Sequence, residues 1–183
     1  MKKLLLFCIV VLSLSSCEKD DICDPGQSTT PRLIIEFYDT NNPAVLKNLT
    51  NLYVIGEGQE EALVLNESIP IDSPVAEQRF LSNGNRIGLP LNTEADQVVY
   101  NLTLNYNSPN EDLIFEDQIV INYSRLNAYV SRACGYKTTY KLNPPTNPLA
   151  PITVTSGNVW INSIEILQSD IETENEIHVK IYF

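Results

Sequence analysis

The sequence predicts an all-β fold: a single antiparallel β-sandwich of about eight to ten strands, with a small closed β-barrel as the competing architecture. Three observations predict it. Apolar and polar residues alternate at period two in several separate runs. Clusters of Asn, Gly, Pro and Asp punctuate those runs. Nowhere past the N-terminal region do apolar residues recur at the three-and-four spacing of an amphipathic helix.

In chain order, RLIIEFYD near residue 32 and NLYVIG near residue 51 read as strands. NESIPIDSPVAE, 66–77, reads as an irregular loop. Asn83-Gly84, between RFLS and NRIGL, predicts a hairpin, because both central positions of such a turn favour positive φ. QVVYNLTLNY, 97–106, puts Val98, Tyr100, Leu102, Leu104 and Tyr106 on one face of a half-buried strand. After the turn Asn107-Ser108-Pro109-Asn110, DLIFEDQIVINY, 112–123, does the same with Leu113, Phe115, Ile119, Ile121 and Tyr123, and Asp117 interrupts the pattern. AYVSRACGYKTTYKL, 128–142, is two short strands or one bent strand broken at Gly135. NPPTNPLAP, 143–151, has too many prolines for regular structure. VWINSIEIL near residue 159 and EIHVKIYF at 176–183 are the last strands, the latter with Ile177, Val179, Ile181 and Phe183 inward and His178, Lys180 and Tyr182 outward. No internal repeat interrupts this order.

The N-terminal end carries an address. Met1-Lys2-Lys3 is basic, and Leu4 to Leu14 is almost wholly apolar. That run is too short to cross a bilayer as a helix, which needs about 20 residues. With the small residues Ser15 and Ser16 behind it, it has the marks of a secretory signal. Leu14-Ser15-Ser16-Cys17 resembles the lipobox of bacterial lipoproteins. The resemblance implies cleavage before Cys17, acylation of its sulfur and amine, and a membrane held through the lipid. Glu18-Lys19-Asp20-Asp21 is similar to the acidic export tag of Bacteroidetes lipoproteins, which implies display on the outer face of the outer membrane. A soluble secreted protein with a solvated charge run is the competing reading. The lipoprotein reading divides the chain into a signal peptide at 1–16, a lipidated acidic tether at 17–30 and a β-sandwich domain at 31–183.

Four cysteines then have assignable fates. Cys8 leaves with the signal and Cys17 takes lipid. Cys23 and Cys134 remain, and an oxidising periplasm pairs such a couple. The alternative is a buried free Cys134 beside an idle Cys23. The chain carries 12 basic and 23 acidic residues, net −11, and losing Lys2 and Lys3 with the signal makes it −13. That balance disfavours nucleic acid and anionic membrane surfaces as partners.

Three stretches carry a wider resemblance. TTPRLIIEFYD after the tether, YSRLNAYVSRACGYK in the middle and IHVKIYF at the end resemble an uncharacterised family of Bacteroidetes lipoproteins. The resemblance implies the same address and a β-rich fold, and no activity. It points to the segment around Arg125, Arg132 and Cys134, where the arginines either satisfy carboxylates or bind a partner.

Catalytic chemistry has little to draw on. His178 is the sole histidine, and both a Ser-His-Asp arrangement and a Cys134 nucleophile would require it. No set of free His and Cys suits zinc. Asn110, Glu111, Asp112, Glu116 and Asp117 could offer oxygens to calcium, but without EF-hand spacing they read as exposed acids at a turn. The nine tyrosines and Trp160 read mainly as core packing. The expectation is a protein with no enzymatic activity, cofactor or metal, acting as an interaction module for another envelope protein. The alternative is a glycan- or small-ligand-binding lipoprotein using loops such as 143–151. A hydrolase built from carboxylates stands third.

Overall fold

Eleven strands and no α-helix occupy the described residues, which in the computed structural model are residue 23 and residues 30–144, 148–155 and 160–183. The strands are β1 (Leu33–Tyr38), β2 (Leu52–Gly56), β3 (Leu81–Ser82), β4 (Arg86–Leu89), β5 (Gln97–Leu104), β6 (Phe115–Ser131), β7 (Gly135–Leu142), β8 (Ile152–Val154), β9 (Ser163–Ile166), β10 (Asp170–Ile171) and β11 (Val179–Tyr182). Contacts divide the chain into two units. One is Met1–Thr29 with Asn127–Lys137; the other is Thr30–Leu126 with Thr138–Phe183.

The larger unit is a β-sandwich of two sheets. The smaller sheet runs β4-β1-β11-β9. The larger runs β10-β7-β6-β5-β2-β3, with β8 beside β6. Both sheets end in edge strands, so the barrel alternative does not hold. Alternation fills the space between them. Leu33, Ile35 and Phe37 from β1, Val179 and Ile181 from β11, Leu52 and Val54 from β2, Leu102 from β5, and Ile119 and Ile121 from β6 are all fully buried in one cluster. Each such side chain contributes about 1.5–3 kcal/mol by leaving water. Phe37, Trp160 and Phe183 form an aromatic group, with Phe183 edge-on to both others at 6.1 and 5.4 Å.

Four expectations need correction. The sandwich is not wholly antiparallel, because β1 pairs with β11 in parallel, Ile35 opposite Val179. No tight turn joins these two strands, so nothing local dictates their direction. Asn83-Gly84 does not close a hairpin. β3 pairs with β2 in the larger sheet while β4 pairs with β1 in the smaller one, so the dipeptide carries the chain between sheets. Neither residue takes positive φ there. Leu113 is half exposed in a 3-10 turn, because the strand begins only at Phe115. Tyr106 lies beyond the end of β5 and stacks flat on Tyr53, ring centres 4.1 Å apart, instead of joining the core. The 128–142 stretch is two strands, with Gly135 at φ +70° where β7 begins.

Candidate functional site

The signal 1–16, the lipidation candidate Cys17 and the charge run 18–21 lie outside the described residues. Cys23 and Cys134 are joined by a disulfide, with Cα atoms 4.9 Å apart. Cys134 ends the three-residue turn between β6 and β7, and its N–H donates to Ser131 Oγ at 3.0 Å. Gly135 then supplies the left-handed residue that closes such loops. Within Asn127–Lys137, Tyr129 and Tyr136 meet edge to face at 5.4 Å and are 59% and 71% exposed. Arg132 is exposed in the turn. A signal absent from the charge reading above runs through this region: between Asp117 and Glu165 there is no acid, only Arg125, Arg132, Lys137 and Lys141.

Other nominated residues are engaged in structure. Arg125 donates from Nε to Asp96 Oδ1 at 2.6 Å and from Nη1 to the Thr93 carbonyl at 2.7 Å. The acids near the 107–110 turn do not converge: Asn110 Oδ1 caps the Asp112 amide, Glu116 is exposed, and Asp117 is buried on the core side of β6.

His178 is a further correction, since it is 1% exposed and not the surface residue that its outward position in the alternation suggests. Ile34 is buried one residue before the β1–β11 register, and a buried N–H needs an acceptor. His178 Nδ1 accepts that N–H at 2.9 Å, and the His178 amide donates to the Ile34 carbonyl at 3.0 Å. The imidazole also hydrogen-bonds the Thr173 backbone, so both nitrogens are spoken for. Burial holds this imidazole below its ordinary 6.5, with Arg86 reinforcing and Glu176 opposing. The unfolded chain therefore takes up the proton at higher pH than the folded one, and stability falls as pH drops below about 6.5. Glu174 adds a second loss below 4.5, because its hydrogen bonds to Arg32 hold its carboxyl under that ordinary value. Urea midpoints between pH 7.5 and 5 are expected to fall on acidification, with the slope flattened in His178→Asn. An unchanged slope in that variant would remove His178 as the cause.

Three tyrosines hold one segment. Tyr100 of β5, Tyr140 of β7 and Tyr123 of β6 donate their hydroxyls to the successive carbonyls of Pro90, Leu91 and Asn92, at 2.5, 3.0 and 3.1 Å. Burial raises all three phenols, Tyr123 to about 12. These groups therefore stay protonated donors at any physiological pH. The clamp borders an open polar cleft of about 490 Å³ lined by Glu57, Gln59, Asn92 and Gln97.

A second concavity has different chemistry. It holds about 560 Å³ and is lined by Tyr53, Val64, Ile71, Arg79 and Phe80, with Glu60 and Glu61. Apart from Tyr53 of β2, its apolar residues come from chain outside the strands, where no periodicity flags them. The 3-10 turn Ala76–Phe80 is tied to the preceding segment by the Leu65 and Asn66 amides, both donating to the Arg79 carbonyl at 2.9 Å. Ile71 is 79% exposed. Arg79 Nε is buried and has no hydrogen-bond partner among the described residues. An unsatisfied buried donor costs about 1–3 kcal/mol, so the groove suits a ligand carrying an apolar group and an acceptor.

No curated protein and no solved structure matches the chain. Residues 51–183 match one family, over a span that holds the groove, the tyrosine clamp, Cys134 and His178 and leaves β1 and Cys23 outside. On that match, which covers most of its length, the chain belongs to the family of unknown function DUF6452.

Proposed function

We propose that this chain is a lipoprotein of the Bacteroidetes type, anchored through Cys17 at the outer membrane and facing the cell exterior. It acts as a non-enzymatic binding module for another envelope protein. The lipobox-like Leu14–Cys17 and the acidic run behind it support the address. The groove carries the binding function: it offers exposed apolar surface from Ile71 beside a buried guanidinium N–H awaiting an acceptor. An apolar anchor in a pocket beside one oriented polar group is the usual anatomy of an interface hot spot.

Tagged full-length protein, purified after mild crosslinking on intact cells, is expected to bring down a stoichiometric envelope protein. Phe80→Asp is expected to lose that protein while keeping a wild-type circular dichroism spectrum. Recovery of the protein alone from both strains overturns the reading. Binding of the soluble domain on a glycan array instead selects the glycan-binding alternative. Palmitate incorporation abolished by Cys17→Ser, together with cleavage by protease added to whole cells, tests the address.

A further inference from the structure

We infer that the disulfide-bonded hairpin turn of Asn127–Lys137 is a membrane-contacting foot, whose Tyr129, Tyr136, Arg132 and Lys137 rest against the phosphate-bearing headgroups of the leaflet that holds the anchor. The inference rests on the lipoprotein reading above and adds an orientation to it.

Chain length carries the first part of the argument. From Cys17 to Leu33, where the first strand starts, there are 16 residues, an extended reach of about 55 Å. From Cys17 to Cys23 there are only 6, a reach of about 20 Å. Because Cys23 is bonded to Cys134, the hairpin turn lies at the end of the short path. The disulfide thus gives this turn a shorter tether from Cys17 than the first strand has along the chain.

Residue chemistry carries the second part. Tyrosine suits a membrane interface, because its ring is apolar and its hydroxyl is wet. Tyr129 and Tyr136 are the exposed aromatics among the described residues of this unit and lie against each other. Asn127–Lys137 contains Arg132 and Lys137 and no acid. In the wider acid-free stretch from 118 to 164, Arg125 and Lys141 pair with Asp96 and Asp170, so the basic character of the turn itself comes from Arg132 and Lys137. An anionic surface repels most of such a chain and attracts this part, and the attraction weakens as salt rises.

The test uses full-length lipidated protein in vesicles of phosphatidylethanolamine and phosphatidylglycerol with a doxyl quencher at headgroup depth. Tyr136→Trp places an indole on the hairpin, and the wild type, whose Trp160 is buried, gives the background. The expected result is added emission that is shifted to shorter wavelength and quenched. Quenching is expected to fall in the Cys23→Ser/Tyr136→Trp protein, where the short path is cut. Flotation is read on the same samples. Protein that floats without the added quenching overturns the inference and leaves the anchor standing. Protein that does not float overturns both. A photo-crosslinking residue at position 136 in whole cells is expected to yield a lipid adduct, and a protein adduct instead overturns the inference by giving the hairpin a protein partner.

Discussion

Asp117→Ala is expected to destabilise the fold by about 3–5 kcal/mol, the largest effect of any single substitution proposed for this chain. Asp117 is 1% exposed and sits where β6 would otherwise present an apolar residue. Its Oδ2 accepts the backbone N–H of Trp160 at 2.9 Å and of Ile161 at 2.8 Å. Both amides are buried, and the carboxylate is what turns this segment into the core, where Trp160 meets Phe37 and Phe183. Removing it leaves two buried donors without an acceptor, each costing about 1–3 kcal/mol, and a void besides. Asp117→Asn keeps one acceptor oxygen without the charge and is expected to cost about half as much. Glu116→Ala, the exposed neighbour, is expected to stay within about 0.5 kcal/mol. Urea denaturation of the three variants with unchanged m-values measures this. An Asp117→Ala protein within about 1 kcal/mol of wild type would mean that other groups satisfy the amides.

Replacing both bridged cysteines by serine is expected to cost about 2 kcal/mol, less than the length of the bridged loop suggests. The bridge spans 111 residues, and a free chain of about that length would lose about 4.7 kcal/mol on closure. The folded protein, however, has already closed most of that loop. Thr30 Oγ1 accepts the Thr138 N–H at 3.1 Å, only four residues from Cys134, and Cys23 is seven residues from Thr30. The folded state thus closes a path of about eleven residues, and the tenfold ratio of the two lengths gives about 2 kcal/mol. For a chain of this size that is a fall of about 4–8 °C in Tm. A fall twice as large would show that the bridge also orders the chain around Cys23. No fall would show that the bridge adds nothing to the stability of the fold.

What the sequence discloses follows from which interactions are local. Alternation in 97–104 and 115–123 marks β5 and β6, because a strand's faces are set by its own residues. The cysteine count leads to a disulfide because few thiols are available to pair. Strand direction is a property of distant partners, so the parallel β1–β11 pair is invisible in either segment. Asn83-Gly84 fails as a hairpin cue because the two strands it joins have better partners in different sheets. Alternation places His178 outward and so suggests exposure, yet its imidazole is buried against the Ile34 amide. Asp117 looks like an interruption until the two amides it serves are located 43 and 44 residues away. The groove is assembled from β2, the 60–64 segment and the 71–80 loop, whose apolar residues share no spacing. The acid-free run from 118 to 164, by contrast, is legible in the sequence to anyone who plots charge along the chain.

The pairing of β1 with β11 also has a temporal side. Ile34 and His178, which share hydrogen bonds across that junction, are 144 residues apart. A ribosome adding about 5–20 residues per second takes on the order of ten seconds to make the second after the first. Throughout that interval the edge of β1 that pairs with β11 has no partner strand. Until β11 is made, the smaller sheet cannot close and the chain lacks part of its native pairing. The smaller sheet therefore acts as a timer, because it cannot be completed before β11 is synthesised.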